Sequence, residues 1–576
     1  MSSVTEPSIL EGESGLRVTR FLDALLTRKP TRIAPALLAG AMAVSAALCL
    51  WVARGTIYSG DELAWFNLAP DLSLRQALEP GSGHLLLIPR VVYALILNAF
   101  GSHYLVFRVL CLAAVYLAVA LLFCWSRKKV GDFFALAPCV ALLFFGTDPG
   151  HLLQGNGFTI MLAVSAGLLA LIGLERQSRG GDLIACLALC VGVATYSVAL
   201  AFLAGAIVAV LAAPDRWRRL WVVVLPLGLY LAWRIWIVAA GIQAPRDEVV
   251  WSNLVLLPTW TFDSLSGILN ALSGLHYNFG GSGWLPPGAM AGPALALAFL
   301  VWIGWRAGRM PARAPFWIAV TVLLALFASQ VVVWAPVIRE PGTSRYLYPG
   351  AVAALLVLVA SVRGLNYGRP ALLAVWLVAL TATGTGVALI RDSGAALRDR
   401  AVEVRGDITA VGLLEQATGA RPGPGAQPVG SVLLDFDAAN VLPAERQFGR
   451  LGYAPDQIAS APPTARARMD KVLLAVTMPY LKPLPGQPKK CLPLLAGPAG
   501  GESPPTAEVP GGTTVLFSEG GGKVSIRRFG DDFTTSVGEL SPGRAASLVL
   551  PVDDNPTPWQ ITSTNPDLKA CAPDQA

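Results

Sequence analysis

The chain has 576 residues, of which 54% are apolar and only 14% charged, well under the quarter that a soluble domain carries; so much apolar and aromatic sequence also excludes disorder. The net charge of +7 does not mark a nucleic-acid binder, because residues 1–390 hold 26 Lys/Arg against 17 Asp/Glu while 391–576 hold 18 against 20. The basic surplus lies in the greasy two-thirds, as in polytopic membrane proteins.

A helix crossing the hydrocarbon core needs about 20 residues. In chain order, the first candidate is Ile33 to Ala53, preceded by Arg17, Arg20, Arg28, Lys29 and Arg32. That leader is long for a signal peptide and no small-residue cleavage site follows, so the reading is an uncleaved first span behind a cytoplasmic tail, 1–32. A long outer loop, 54–103, comes next. Further apolar runs follow at 104–125, 133–147, 158–174, 183–213, 220–240, 291–305, 315–335, 346–362 and 371–390. As one helix, 183–213 would measure about 46 Å, too long for one crossing. Split near Thr195-Tyr196-Ser197, it becomes two short helices, tolerable where they end against protein rather than lipid.

Charge decides for the split. With it, 13 basic residues fall in short inside loops, among them Arg127, Lys128, Lys129, Arg219 and Arg363, against six in the longer outside loops. Without it, every loop after 213 changes side and the positive-inside rule fails repeatedly. The expected fold is an all-α membrane domain (33–390) of about eleven spans, N-terminus inside, C-terminus outside, plus a C-terminal extracytoplasmic β-rich domain.

Residues 391–429 read as an amphipathic helix (391–416) and a Gly/Pro-rich linker. In 430–576, β-like runs are expected at Ser431–Phe436, Val472–Met478, Thr513–Ser518, Lys523–Arg528, Ala546–Pro551 and Trp559–Ser563, as in a sandwich. Six cysteines lie in apolar runs and read as small hydrophobes. Cys491 and Cys571 lie in the tail, where an oxidising exterior would permit one disulfide and a cytoplasmic location would not.

Ionisable groups at mid-membrane are costly and kept for function, and here the span centres are almost free of acids. The acids sit instead in outer loops: Asp61 and Glu62 in Tyr58-Ser-Gly-Asp-Glu-Leu-Ala-Trp65, Asp148 and His151 in Gly146-Thr-Asp-Pro-Gly-His151, and Glu340 with Arg339 and Arg345 in the last. A midplane transport site does not look like this. Arg90 and His84, in His84-Leu-Leu-Leu-Ile-Pro-Arg90, fit a membrane-surface helix.

In these residues the chain resembles the GT-C glycosyltransferases, polytopic enzymes that take a sugar from a polyprenyl-phosphate donor on the non-cytoplasmic side. The class includes protein O-mannosyltransferases, aminoarabinose transferases and arabinosyltransferases. The matching features are the acidic pair Asp61-Glu62 after the first span, Asp148 in the next outer loop, and Ser344-Arg-Tyr-Leu-Tyr-Pro349 entering a late span. The resemblance implies transfer to a glycan, glycolipid or protein acceptor of the cell envelope at the plasma membrane. Asp61, then Glu62, is its general base, and Asp148 orients the acceptor or supports a metal. Arg345, Arg339, Arg90, Tyr346, His84 and His151 are its substrate-binding residues, with guanidinium matching phosphate. Asp148 is followed by Pro149 and Gly150 rather than a second acid, which leaves a divalent cation such as Mg or Mn open. Two other classes compete. A lipid-linked glycan flippase would show pseudo-symmetric halves and charges deep in its spans. A non-catalytic scaffold presenting the C-terminal domain would tolerate loss of Asp61.

Overall fold

The computed structural model describes residues 32–242, 249–275, 291–309, 314–333, 340–365, 367–418, 438–485, 488, 491–494, 506–531 and 533–571. Arg339, the run Ser431–Phe436, nearly all of the linker and the tail up to 31 lie outside them. Two compact units emerge. One comprises Met1–Arg54, Ser73–Val92 and Leu105–Ala396; the other comprises Gly55–Leu72, Tyr93–Tyr104 and Leu397–Ala576. The first outer loop is thus divided between them.

Eight helices among the described residues are long and apolar enough to cross a membrane: Ile33–Val52, Tyr104–Val130, Gly155–Glu175, Trp221–Ala239, Ala291–Arg309, Ala314–Val331, Ser344–Val362 and Arg369–Thr418. That number marks the chain as membrane-spanning. The other three expected apolar runs form shorter helices, Asp132–Leu143, Arg179–Thr195 and Ala199–Leu211, of 12, 17 and 13 residues. At 1.5 Å per residue these reach only about 18–26 Å.

The break between the last two falls at Tyr196, whose φ of −165° and ψ of 149° are extended. Within the same unit, the ends at the break meet protein. The Ser197 hydroxyl lies 2.7 Å from His84 Nδ1, and Trp233 Nε1–H donates to the Leu78 carbonyl. Leu85 packs with Ala194, Trp233 and Ile237. Polar backbone at the break is therefore covered by outer-loop residues 78–88, the condition under which short helices survive in a bilayer.

Close helix packing in this unit depends on small residues. A Cβ on Gly386 would stand 1.8 Å from the Phe144 carbonyl oxygen, whereas one on Gly384 would meet nothing within 4 Å. Gly386→Val is expected to destabilise the membrane unit by roughly 2 kcal/mol or more, and Gly384→Ala to be neutral or stabilising through helix propensity. Thermal unfolding of the two purified variants in detergent checks the contrast; equal melting would refute the contact.

The second unit is built on two antiparallel sheets. Strands β1 (Lys482–Pro483), β2 (Cys491–Pro493), β4 (Gly512–Ser518), β7 (Arg544–Leu550) and β9 (Lys569–Cys571) form one sheet in the order β1-β7-β4-β9-β2. Strands β3 (Thr506–Val509), β5 (Gly522–Arg527), β6 (Thr535–Leu540) and β8 (Trp559–Ser563) form the other, ordered β3-β8-β5-β6. Four expected runs match β4, β5, β7 and β8 to within two residues. Val472–Met478 does not: it ends the helix Pro463–Thr477. A short apolar run reads equally as strand or buried helix, and here Pro at the start and Ala, Arg, Met and Lys after it favour helix.

The core mixes both sheets (Leu516, Leu548, Val524, Ile526, Ile561 and the fully buried Trp559) with helical Leu413, Leu414, Met469 and Leu473. Alternating burial in β3 and β8 puts one face of each strand into this core. Asp407, wholly buried, accepts two bonds from Arg468 at 3.0 and 2.7 Å, fastening Pro463–Thr477 to the end of Arg369–Thr418. Cys491 and Cys571, directly paired across β2 and β9, form a disulfide.

Candidate functional site

In the second unit, the acidic pair opens the helix Asp61–Leu68. Gly60, its N-cap, has φ +57° and ψ −130°, a conformation that favours glycine. Two carboxylates in the first turn suit the positive end of the helix. The two then diverge. Asp61 is exposed, while Glu62 is 0% exposed.

Glu62 sits in a cage of tyrosines. Tyr93 donates to Oε1 at 3.0 Å, Tyr104 to Oε1 and Oε2 at 3.0 and 2.8 Å, and the Ser59 N–H to Oε2 at 3.3 Å. Tyr58 stacks edge-on against Tyr104 at 4.8 Å, and Trp65 against Tyr93 at 4.9 Å. Burial pushes the Tyr58 phenol up, with the Glu62 charge adding to the effect. A buried carboxylate needs such donors. The chemical consequence is a division of labour: Glu62 anchors the turn, and Asp61 is the carboxylate that the turn presents to solvent. None of the three tyrosines was singled out in the sequence; tyrosines bordering apolar runs were the available signal.

In the first unit, the second and last outer loops come together. Asp148 and His151, 1% and 3% exposed, are joined at 2.7 Å between Oδ1 and Nδ1. The Tyr348 N–H donates to Asp148 Oδ2 at 3.3 Å, and the Tyr348 hydroxyl to the Leu142 carbonyl at 3.0 Å. The Gly146–His151 segment is thereby tied to the Arg-Tyr-Leu-Tyr-Pro stretch, 200 residues away. Arg345, half-buried, stands three residues from this tie, its guanidinium 5.3 Å from the Tyr346 ring.

His84 and Arg90 belong to the same unit. His84 stacks on Tyr196 at 4.1 Å beside the helix break. Arg90 Nη1 donates to the carbonyls of Gln76, at 2.6 Å, and Glu79, closing the end of the helix Leu74–Leu78. One of its donor nitrogens is thus already used by the loop.

A divalent cation finds little to hold it. Among the described residues no group of three His, Cys, Asp or Glu is gathered. Asp148 has His151 Nδ1 at 2.7 Å and the Tyr348 N–H at 3.3 Å as its neighbours, and no third such ligand joins the two. No protein-family model matches the chain, and no curated protein does.

Proposed function

We infer that the chain is an integral membrane glycosyltransferase of GT-C type, moving a sugar from a polyprenyl-phosphate donor to a cell-envelope glycan, glycolipid or protein on the extracytoplasmic side of the plasma membrane. The observation that carries this reading is the Asp61 carboxylate, exposed on a turn held by the buried Glu62 cage. A surface acid held that firmly suits general-base work at an outer face.

Sidedness supports the reading. Residues Gly55–Leu72 and Leu397–Ala576 share one compact unit, which supports placing the start of the first loop and the C-terminal domain on one side of the membrane. An even number of crossings must separate them. The split at Tyr196 makes ten crossings between 104 and 390; an unbroken 183–213 would make nine. Taking the three short helices as spans gives the proposed eleven, which satisfies that parity. The Cys491–Cys571 disulfide favours an oxidising compartment for that side, and hence a cytoplasmic N-terminus.

In the proposed reaction, the acceptor hydroxyl attacks the anomeric carbon while Asp61 takes its proton. The bond from that carbon to the phosphate oxygen breaks, and polyprenyl phosphate leaves with the electron pair. The developing phosphate charge calls for a cation, the role that the resemblance gives to Arg345 and Arg339, with Tyr346 as a further binding group. Asp148 and His151 act by positioning, since they hold the Arg345 helix in place. Arg90 and His84 shape the loop along which the donor headgroup lies.

The placement of the acids at helix ends argues against an ion-coupled transporter. Asp132 and Asp182 lie in the first turns of their helices, paired with Arg127 and Arg219. Glu175 closes its helix, paired with Lys129. A strain lacking the protein is expected to accumulate a polyprenyl-phosphate sugar and lose one envelope sugar. Mass spectrometry of lipid extracts and glycan composition check this; an unchanged profile in both would sink the assignment.

A further inference from the structure

In the membrane unit, the helices Asp132–Leu143 and Arg369–Thr418 meet through alanines: Ala137, Ala141, Ala379 and Ala382 pack as one cluster. Such small side chains let two backbones approach but fill little of the space beside them. There a cavity of about 600 Å³ opens. Leu355, Leu358 and Val359 of Ser344–Val362 form its buried wall, and Leu295 and Phe299 of Ala291–Arg309 close another side. The end of the helix Leu257–Ser273 adds Leu269 and Leu272. That helix stops at Gly274, φ +73°, against Ala382, about one turn beyond Ala379, the last cavity residue of Arg369–Thr418.

The lining offers a ligand almost nothing but hydrocarbon. Its two polar side chains already have partners within the protein: the Ser273 hydroxyl donates to the Asn270 carbonyl at 2.8 Å, and the Tyr367 hydroxyl to the Val362 carbonyl at 2.9 Å. Water therefore finds few of the polar partners it needs. Left unfilled, a space this large would forfeit the dispersion contacts of the atoms around it. Its depth is also informative. One end lies at Val130, Val362 and Tyr367, where Tyr104–Val130 and Ser344–Val362 finish and Arg369–Thr418 begins. From Ala371 to Ala379 it follows Arg369–Thr418 for about 12 Å, close to the ~15 Å of hydrocarbon in one leaflet. It is continuous with the lipid-facing surface, since Val378 and Leu295 line it and are exposed. An apolar cavity of about 150 Å³ takes benzene, so this one has room for roughly 24 carbons, which is one long acyl chain and not two.

We propose that this cavity binds one acyl chain of a glycerophospholipid from the leaflet at its Val130–Val362 end, the second chain staying in the bilayer beside Val378. The bound chain acts as a wedge: it stands where side chains would otherwise have to, between Ala291–Arg309 and Arg369–Thr418 and over Ser344–Val362. Lipid tails are as apolar as the lining, so the chain enters without a desolvation cost, and contact and shape hold it. Under the topology above this leaflet is opposite to Asp61, so the lipid is a resident ligand and not the sugar donor.

The test uses the full chain in phosphatidylcholine vesicles doped with a phosphatidylcholine that carries a photoactivated diazirine midway along one acyl chain. After illumination, adducts are mapped by mass spectrometry of peptides. Leu355 and Val359, each 7% exposed, are shielded from bulk lipid, so the expected result is labelling of both alongside outward-facing Leu377. Labelling confined to Leu377 and other outward residues would overturn the proposal without any variant. Ala374→Phe puts a ring into the cavity and is expected to lower the adducts on Leu355 and Val359 roughly tenfold, since close-packed space admits one occupant. Leu377→Phe, exposed and outside the lining, should leave them unchanged. Equal labelling of Leu355 and Val359 in Ala374→Phe and the wild type would overturn the site. Excess polyprenyl phosphate should not displace the adducts; displacement would overturn the acyl chain as the occupant. None of these readouts measures sugar transfer, so the site and the glycosyltransferase reading fail separately.

Discussion

Asp61→Asn is expected to lower sugar transfer by roughly a hundred- to ten-thousand-fold, the usual contribution of a positioned general base. The substitution keeps the size and hydrogen-bonding outline of the side chain but removes its ability to take a proton. Asp61 is exposed at the first turn of Asp61–Leu68, so losing its charge there costs the helix only a few tenths to about 1 kcal/mol. Expression, membrane insertion and donor binding should therefore match the wild type while turnover collapses. The measurement is single-turnover transfer from a polyprenyl-phosphate sugar in reconstituted vesicles, with donor binding assayed in parallel. Turnover within tenfold of wild type would remove Asp61 as the base and bring the scaffold reading forward. A parallel loss of donor binding would instead place Asp61 among the binding groups.

Much of the membrane architecture was legible because apolar length is a strong signal. Eight expected spans are helices of crossing length, and the break at Tyr196 followed from helix rise and loop charge together. The three short helices show what that signal omits: Asp132–Leu143 stops at Phe144, well before its apolar run ends, and the chain turns there into the Asp148 segment. The C-terminal domain was read as more purely β than it is. A run such as Val472–Met478 carries no periodicity long enough to separate strand from helix.

The candidate residues were legible as types but not as environments. Asp61 and Glu62 are neighbours in sequence and opposites in exposure. That difference arises from Tyr93 and Tyr104, 31 and 42 residues away. Asp148 read as an acid of the second outer loop, and it is buried and bound to a backbone N–H 200 residues away. Hydropathy records the cost of burying a carboxylate; it does not record which distant donors offset that cost. Arg90 shows the same gap, since its guanidinium is partly used by carbonyls at Gln76 and Glu79.

Removing the cage should separate these roles. Glu62→Ala leaves the Tyr93 and Tyr104 hydroxyls buried without their acceptor, at about 1–3 kcal/mol for each stranded group, and opens a void where the side chain stood. The expected loss is roughly 3–6 kcal/mol in the second unit, enough to unfold a marginal domain. Thermal unfolding of the purified variant, with limited proteolysis as a local probe, measures it. Adding Tyr93→Phe and Tyr104→Phe to Glu62→Ala removes the stranded hydroxyls and should recover part of that loss. The recovered protein should still transfer sugar poorly, because the turn that aims Asp61 has lost its anchor while Asp61 remains. If stability returned together with full transfer, Glu62 would be a structural residue alone and the orientation of Asp61 would not depend on it. If Glu62→Ala melted like the wild type, the tyrosine cage would not be holding the turn at all.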